Sequence, residues 1–304
     1  MSKLLCFGLG YSARVFARRM MAQGWRVLGT TRRGDAAKQL RAKGFEVVLF
    51  TGKAPSANVS EALADTTHVL VSAAPGAEGD AVHHHHAADM ASATKLEWIG
   101  YLSTVGVYGD HGGAWVDEET KLNPKSERSR LRIAAEQAWL RFGEEAGKAV
   151  QLFRLAGIYG PGRGPLENVR QGKGRRIIKP GQVFNRIHVE DIANVLEASI
   201  GKPRAGAIYN VTDDEPAPPQ DVVTFAAEVL GVAPPPEVAF EDADLSPMGR
   251  SFYNENKRVS NALIKQELGV KLSYPTYREG VRALAGALEE ISCPEESRAP
   301  GGRL

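Results

Sequence analysis

The sequence has few cysteines and no long apolar run. Cys6 lies in a short apolar stretch and Cys293 in a polar tail, so two thiols in 304 residues form no disulfide framework. The apolar run 4–7 is too short for the core of a signal peptide, and nothing approaches the roughly 20 apolar residues of a membrane span. We therefore expect a cytoplasmic protein with no membrane partner.

An excess of charge of one sign is also absent. The chain has 38 Lys and Arg against 36 Asp and Glu, a formal net charge of +2. This balance gives no electrostatic reason to expect a nucleic-acid partner. With 43% hydrophobic residues the chain can bury a full core, and its length exceeds a minimal nucleotide-binding unit by roughly one small lobe. We expect a small-molecule substrate.

Apolar runs typical of β-strands alternate with helical patterns through the first half of the chain. Strands are predicted at 4–7, 26–31, 46–50, 68–72, 96–103 and 150–154, and helices at 12–23, 35–43 and 126–146. Later strands are predicted at 183–187 and 207–211, and later helices at 191–200 and 221–230. The βαβα order is typical of a parallel sheet covered on both faces.

A glycine-rich turn directly follows the first predicted strand and opens the first helix. Gly8 permits a tight bend, Gly10 lets the backbone approach a pyrophosphate, and the small Ala13 permits close packing of helix on strand. The free amides and the dipole of the following helix favour an anion. We therefore predict a dinucleotide site. Its predicted residues are Gly8, Gly10, Tyr11, Ser12, Ala13, Ser72 and Ala73.

The end of the second strand decides between the two dinucleotides. NAD-binding folds usually have an acidic residue there that holds the ribose 2′-hydroxyl, and this strand instead ends in Thr31, Arg32 and Arg33. Two guanidinium groups suit a 2′-phosphate through charge-assisted bonds. NADP(H) is therefore predicted over NAD(H), and a solvated basic turn remains the alternative, more for Arg33 than for Arg32.

This pattern predicts an α/β fold of the Rossmann type, a doubly wound parallel sheet with a smaller C-terminal substrate lobe. We expect an NADP-binding core over 1–160 and a mixed segment over 161–290 that completes the sheet and forms the lobe. Residues 291–304, rich in Pro and Gly, are expected to form a disordered tail.

Four segments, in this order, resemble motifs of the extended short-chain dehydrogenases/reductases, the NAD-dependent epimerase/dehydratase group. They are LSTVGVYG at 102–109, RLAGIYGPG at 154–162, RIHVEDIA at 186–193 and IYNV at 208–211. The chain most resembles atypical members described as nucleoside-diphosphate-sugar epimerases. The resemblance implies an oxidoreductase or epimerase-like enzyme that acts on a small polar substrate such as a nucleotide sugar, and it makes a homodimer an expectation.

The group's chemistry uses a Tyr and a Lys one helical turn apart, together with a Ser or Thr. Thr104 matches the Ser/Thr position, but the AAE at 134–136 aligns Arg132 with the Lys and Arg128 with the Tyr. An arginine keeps its proton, so Arg128 cannot act as the acid/base. Either arginine can still bind a ribose hydroxyl, a phosphate or a developing oxyanion. A Tyr-x-x-x-Lys spacing occurs at 253–257, too far along the chain for the nicotinamide, and we expect no catalytic role for it.

The resemblance also gives candidate substrate residues. They are Tyr108, Gly157 at a position where the group commonly has Asn, Arg163 and Arg186. The basic stretch 172–176, with Lys179, is either part of an anion site or a solubilising loop.

A run of histidines at 83–86 is expected to be a polar loop or a helix start near the cofactor mouth, and no metal is predicted. Two functions stay open: an enzyme in which Thr104 hydrogen-bonds a substrate oxygen, and a non-catalytic dinucleotide-binding sensor or assembly factor.

Overall fold

The central sheet is built from strands that are apolar on both faces. In the first strand, Lys3–Phe7, Leu4 and Cys6 pack into one buried cluster and Leu5 and Phe7 into another on the opposite face. Because both faces are covered by helices, the alternation produces a fully buried parallel sheet. The computed structural model describes residues 2–292.

The elements are as follows. The strands are β1 Lys3–Phe7, β2 Arg26–Thr31, β3 Glu46–Leu49, β4 His68–Val71, β5 Trp98–Thr104, β6 Trp115–Val116, β7 Val150–Leu155, β8 Gly157–Tyr159, β9 Arg176–Ile178, β10 Arg186–His188, β11 Ile208–Val211, β12 Glu237–Ala239 and β13 Arg258–Val259. The helices are α1 Tyr11–Ala22, α2 Gly34–Ala42, α3 Ala57–Leu63, α4 Ala81–Ser92, α5 Glu127–Ala146, α6 Pro165–Arg170, α7 Val189–Ile200, α8 Pro219–Val229, α9 Pro247–Phe252, α10 Ala262–Gln266 and α11 Tyr277–Ser292. A 3₁₀ turn, Val105–Tyr108, follows β5.

Seven strands form one parallel sheet in the order β11-β7-β5-β4-β1-β2-β3. The chain winds outward from β1 through β2 to β3, then crosses to β4 on the other side of β1. This confirms the predicted doubly wound fold of the Rossmann type. The direction changes between β1 and β4, so the crevice at their carboxyl ends is where such sheets bind ligands.

Helix α5 shows how local signals position side chains beside that crevice. Ser126 caps the helix by accepting a hydrogen bond from the amide of Ser129 at 3.1 Å, and Gly147, at φ +62°, ends it in the left-handed conformation. The helix therefore begins and ends where the sequence predicts. Arg128 and Arg132 lie in its first two turns, beside the carboxyl end of β5.

The second half of the chain contributes β11 to the main sheet and forms a smaller lobe. The lobe contains the strand pairs β8–β10 and β9–β12 and a buried cluster shared by α6, α8 and α11, including Phe225 and Tyr277. No helix within residues 2–292 has the length and apolar composition that crossing a bilayer requires. Of the predicted tail, the first two residues end α11 and 293–304 lie outside the described residues.

The strand predicted at 183–187 is wrong in its bounds. The paired strand β10 is shorter and covers 186–188, because the backbone of Phe184 pairs with Ala217 and not with β8, and the side chain of Asn185 anchors the lobe. Its side-chain amide donates to the carbonyl of Lys257 at 3.0 Å and accepts from the amide of Val259 at 2.8 Å.

Candidate cofactor and substrate site

The bend after β1 is tightly packed against its neighbours. Gly8 has φ +85°, and a Cβ atom there would lie 3.1 Å from the backbone nitrogen of Ala73. Its own amide donates to the hydroxyl of Thr30 at 2.9 Å, and the amides of Ser72 and Ala73 both donate to the carbonyl of Phe7. Glycine is therefore required here, both for its backbone conformation and for the space.

Three backbone donors at the start of α1 have no partner. Gly10 caps the helix without a side chain, and the first helical amide to be satisfied is that of Arg14, which donates to the carbonyl of Gly10 at 3.0 Å. The amides of Tyr11, Ser12 and Ala13 therefore donate to no residue that the structure describes. Free amides at a helix N-terminus form an anion site.

Cationic side chains surround the same amides. The guanidinium of Arg14 remains beside the loop, its Nε donating to the carbonyl of Gly10 at 3.2 Å. The guanidinium of Arg163 lies 5.4 Å from the centre of the Tyr11 ring, whose hydroxyl donates to the carbonyl of Pro161 at 3.1 Å. Arg163, predicted as a substrate residue, thus lies beside the cofactor loop.

At the end of β2, one of the two predicted arginines is already paired. Arg33 makes two hydrogen bonds to Asp35, at 2.8 and 3.1 Å, with 72% of its side chain exposed. The amide of Ala36, and then Arg33, hold the pKa of the Asp35 carboxyl below its ordinary value. Arg32 has no hydrogen bond or ion pair to any described residue, so it is the free cation at this corner, next to Thr31.

Asp35 was missed by the sequence reasoning, which looked for an acid at the end of the strand. It lies instead in the first turn of α2.

A cavity of about 760 Å³ opens beside the loop, between the carboxyl end of the sheet and the lobe. It brings together predicted residues from six separate segments. These are Ser12, Ser72, Thr104, Arg128, Arg132, Gly157, Arg163 and Arg186. The remaining loop and corner residues, Gly8, Gly10, Tyr11, Ala13, Thr31, Arg32, Arg33 and Ala73, do not line the cavity.

Hydroxyl groups form one wall of the cavity. Thr104 accepts a hydrogen bond from the amide of Gly106 at 3.1 Å, which leaves its own proton free to donate. Ser126 and Ser129 line the same cavity, and the hydroxyl of Ser126 donates to that of Ser129 at 2.9 Å. Neither serine was predicted, because nothing in the sequence marks them beyond the helix cap.

The two arginines of α5 point in different directions. Arg132 donates from Nη1 to the carbonyl of Leu102 at 2.7 Å and to the hydroxyl of Tyr101 at 3.1 Å, and its Nε is buried with no partner among the described residues. Arg128 is exposed and lies 5.1 Å from the centre of the Phe252 ring in the lobe. A buried, unpaired N–H is costly, so the Arg132 Nε fits a ligand oxygen such as a ribose hydroxyl.

The structure does not bring Tyr108 to the cavity. The side chain is fully buried, its hydroxyl donates to Asn210 at 2.8 Å and accepts from Arg154 at 2.9 Å, and burial raises its pKa to about 12. Arg154 in turn forms a buried ion pair with Glu136 at 2.8 Å. Glu136 also accepts a hydrogen bond from the hydroxyl of Ser103. This network joins β5, β7 and α5 beneath the cavity.

Arg186 does line the cavity. Its Nη1 donates to the carbonyls of Phe184 at 2.9 Å and Ala217 at 3.2 Å, and its Nε and Nη2 donate to no described residue. The other basic residues predicted near it bind lobe groups: Arg176 pairs with Glu237 at 2.6 Å. Arg186 is thus the arginine of this stretch that lines the cavity.

The histidines at 83–86 lie in the first turns of α4 and face different ways. His86 is fully buried and bonds Asp89 at 2.8 Å, while His85 bonds the carbonyl of Gly52. Within the described chain, no three histidine, cysteine or acidic side chains come together as ligands for a metal ion.

Two thirds of the chain match one known protein family. The chain matches the NAD dependent epimerase/dehydratase family over residues 8–212. It belongs to that family. The match covers the whole segment from the glycine loop to the end of β11, and the family's name agrees with the nicotinamide dinucleotide expected at that loop.

Individual proteins and solved structures match at least 90% of the chain. A conserved protein of unknown function from Silicibacter pomeroyi is 53% identical, with a TM-score of 0.87 over 94% of this chain and 99% of that one. Protein YeeZ of Escherichia coli is 28% identical over 285 residues, 90% of this chain and 97% of YeeZ. UDP-glucuronic acid 4-epimerase from Bacillus cereus, solved with NAD, has a TM-score of 0.74 at 15% identity, over 96% of this chain and all of that one. This last likeness concerns the fold alone.

Proposed function

We propose that this family member is an NADP(H)-dependent oxidoreductase or epimerase-like enzyme acting on a small polar substrate in the cavity. The proposal depends on one observation: the three unpaired amides of residues 11–13 open beside a cavity whose wall holds Thr104 and the unpaired Nε of Arg132. The amides would hold the diphosphate of the dinucleotide, and Arg132 a ribose hydroxyl. The bound dinucleotide would supply hydride transfer at its nicotinamide.

The preference for NADP(H) over NAD(H) is supported by Arg32. A guanidinium without a protein partner, beside the threonine that ends β2, can bind a 2′-phosphate. Asp35 is paired with Arg33 and is therefore a poor competitor for a ribose hydroxyl.

Within the cavity, different residues would make different contacts with the substrate. The free proton of Thr104 hydrogen-bonds a substrate oxygen. Arg128 and Arg186 give the cavity a positive lining, which favours an anionic substrate such as a nucleotide sugar. Arg128 holds its proton too firmly to donate it, so the proton comes from elsewhere.

The test follows NADPH absorbance while the protein is offered sugar nucleotides, aldehydes and ketones. We expect oxidation with at least one compound. Thr104→Val, which keeps the branched shape, should lower kcat by roughly 100-fold because an oxyanion donor is lost. Unchanged kcat in this variant would contradict the role of Thr104.

A non-catalytic sensor or assembly factor is the second candidate. It is favoured by the permanently charged Arg128 and Arg132 at the positions that the resemblance gives to the Tyr and the Lys. Tight NADPH binding without oxidation by any compound would support it over the enzyme. For either function we propose a homodimer, which sedimentation of the purified protein tests. We also propose that the protein is cytoplasmic.

A further inference from the structure

One wall of the cavity, contributed by the lobe, contains a phenol with a free hydroxyl. Tyr253 follows α9, lines the cavity and is 7% exposed. Its ring packs against Phe240 at 5.0 Å between centroids and against Phe184 at 5.1 Å. Its hydroxyl makes no hydrogen bond to any residue within 2–292. At a cavity wall, a hydroxyl group without a protein partner can hydrogen-bond a ligand.

The segment that carries this phenol is firmly anchored. Asn256 accepts from the amide of Val183 at 3.2 Å and donates to the carbonyl of Gly181 at 2.9 Å. The backbone carbonyl of Tyr253 accepts a hydrogen bond from Lys179. These bonds join 253–257 to the neighbouring loop and hold the phenol in place.

Lys257 is not the partner of the phenol, although the two residues have the family's Tyr–Lys spacing. Its ammonium donates to the carbonyl of Gly109 at 2.7 Å and pairs with Glu255 at 2.8 Å. The charge that acts on the phenol is instead that of Arg186, which lines the same cavity and interacts more strongly with the carboxyl group of Asp213. Burial raises the pKa of Tyr253, and the guanidinium of Arg186 acts in the opposite direction.

The residue before Tyr253 contacts Arg128, which occupies the position of the family's proton donor. Phe252, next to Tyr253, packs under the guanidinium of Arg128. Resemblance to the family assigns position 128 to the proton donor, and an arginine cannot fill that role. A buried phenol remains protonated at neutral pH and can donate.

We propose that Tyr253 is a catalytic residue that donates the proton to the substrate oxygen. The inference rests on the proposed reductase function. When the carbonyl carbon of a substrate receives a hydride from the reduced dinucleotide, the π-electron pair moves to the oxygen. The O–H bond of Tyr253 breaks, its electron pair stays on the phenol oxygen, and the proton forms the new O–H bond. Arg186 stabilises the phenolate until a proton from bulk solvent, relayed by water in the cavity, restores the phenol.

The test compares the wild type, Tyr253→Phe and Tyr277→Phe, all saturated with NADPH. Tyr277 is the matched control, because it is a buried phenol that does not line the cavity. Two probes are used: the aldehyde or ketone that the wild type reduces fastest, and 9,10-phenanthrenequinone. Reduction of the quinone gives a delocalised anion that depends less on a proton donor.

We expect Tyr253→Phe to lose at least about 100-fold in kcat on the aldehyde or ketone, the usual contribution of general acid catalysis. It should keep most of its quinone reduction and its NADPH affinity, and Tyr277→Phe should resemble the wild type. Equal losses on both probes, or no loss on the aldehyde or ketone, would overturn the role of Tyr253 and leave the proposed function standing. Failure of the wild type to oxidise NADPH with any compound would remove both.

A second measurement does not depend on turnover. Benzenesulfonyl fluoride reacts with an accessible phenol: the phenol oxygen bonds to sulfur, and fluoride and the phenol proton leave. Peptide mass spectrometry should find the sulfonate ester on Tyr253 and not on Tyr277. If Tyr253 stays unlabelled at a pH high enough to ionise its phenol, while free N-acetyltyrosinamide is labelled, its hydroxyl does not face the cavity, which would overturn the proposal.

Discussion

Replacing Arg32 by alanine separates the two dinucleotides. Arg32 is exposed and has no partner among the described residues, so its removal should leave the free energy of unfolding within about 0.5 kcal/mol of the wild type. It should, however, remove a charge-assisted bond to the 2′-phosphate. Such bonds suggest a loss of NADPH affinity of roughly 10- to 30-fold, the lower part of their usual range because the site is open to solvent.

The assay is a fluorescence titration of NADPH and NADH into the wild type, Arg32→Ala and Arg33→Ala. NADH affinity should be unchanged in Arg32→Ala, because NADH has no 2′-phosphate. Arg33→Ala is the matched control and should have the smaller effect on NADPH, because Arg33 is already bonded to Asp35. Equal affinities of the wild type for NADPH and NADH would refute the reasoning, as would a parallel loss of both in Arg32→Ala.

Three further predictions concern stability. Glu136→Gln should lower the free energy of unfolding in urea by about 3–5 kcal/mol, because it leaves the buried Arg154 without its ion pair. Burial lowers the pKa of His188 to about 4, so the unfolded chain binds a proton between about pH 6.5 and 4 that the folded chain does not. Stability is therefore lost as pH falls through this window, by up to roughly 3 kcal/mol, and this loss should be absent in His188→Asn. Gly109→Ala should lower the melting temperature, because Gly109 has φ +68° and a Cβ atom there would overlap the carbonyl of Asn123.

Each stability prediction has a matched control. Glu127→Gln breaks an exposed pair with Arg130 and should change stability by less than about 1 kcal/mol. His188→Asn keeps a side-chain acceptor at the helix start, so a stability difference from the wild type that does not vary with pH would contradict the account. Gly112→Ala, at φ +59° with open space around it, should cost less than Gly109→Ala. Similar costs for the two would show that the overlap with Asn123 does not matter.

Local features of the sequence were enough to predict the glycine bend and the second strand. The loop 8–13 and the strand 26–31 depend on glycine conformation and on neighbouring residues alone, and the bounds of β2 match the prediction. The lobe could not be predicted in the same way. Its segments at 181–185 and 253–257 are joined by side-chain bonds between residues about 70 positions apart, such as that from Asn185 to Lys257, and no periodic pattern marks such bonds.

The resemblance to family motifs predicted which segments lie near the site, but it did not predict the role of each residue in them. Tyr108 lies in the predicted motif, but its hydroxyl is used in a buried network with Arg154 and Asn210. Tyr253, by contrast, was set aside because of its distance along the sequence, and folding places it in the cavity wall. Sequence separation says little about which side chains share a cavity formed by two lobes.

The central claim is that the unpaired amides at the start of α1 hold the diphosphate of NADP(H). A crystal structure of the protein grown with NADPH tests it most directly. We expect diphosphate oxygens within about 2.7–3.2 Å of the backbone nitrogens of residues 11–13 and the 2′-phosphate beside Arg32. A nucleotide bound at the other edge of the sheet, or crystals that remain free of nucleotide at saturating NADPH, would contradict it.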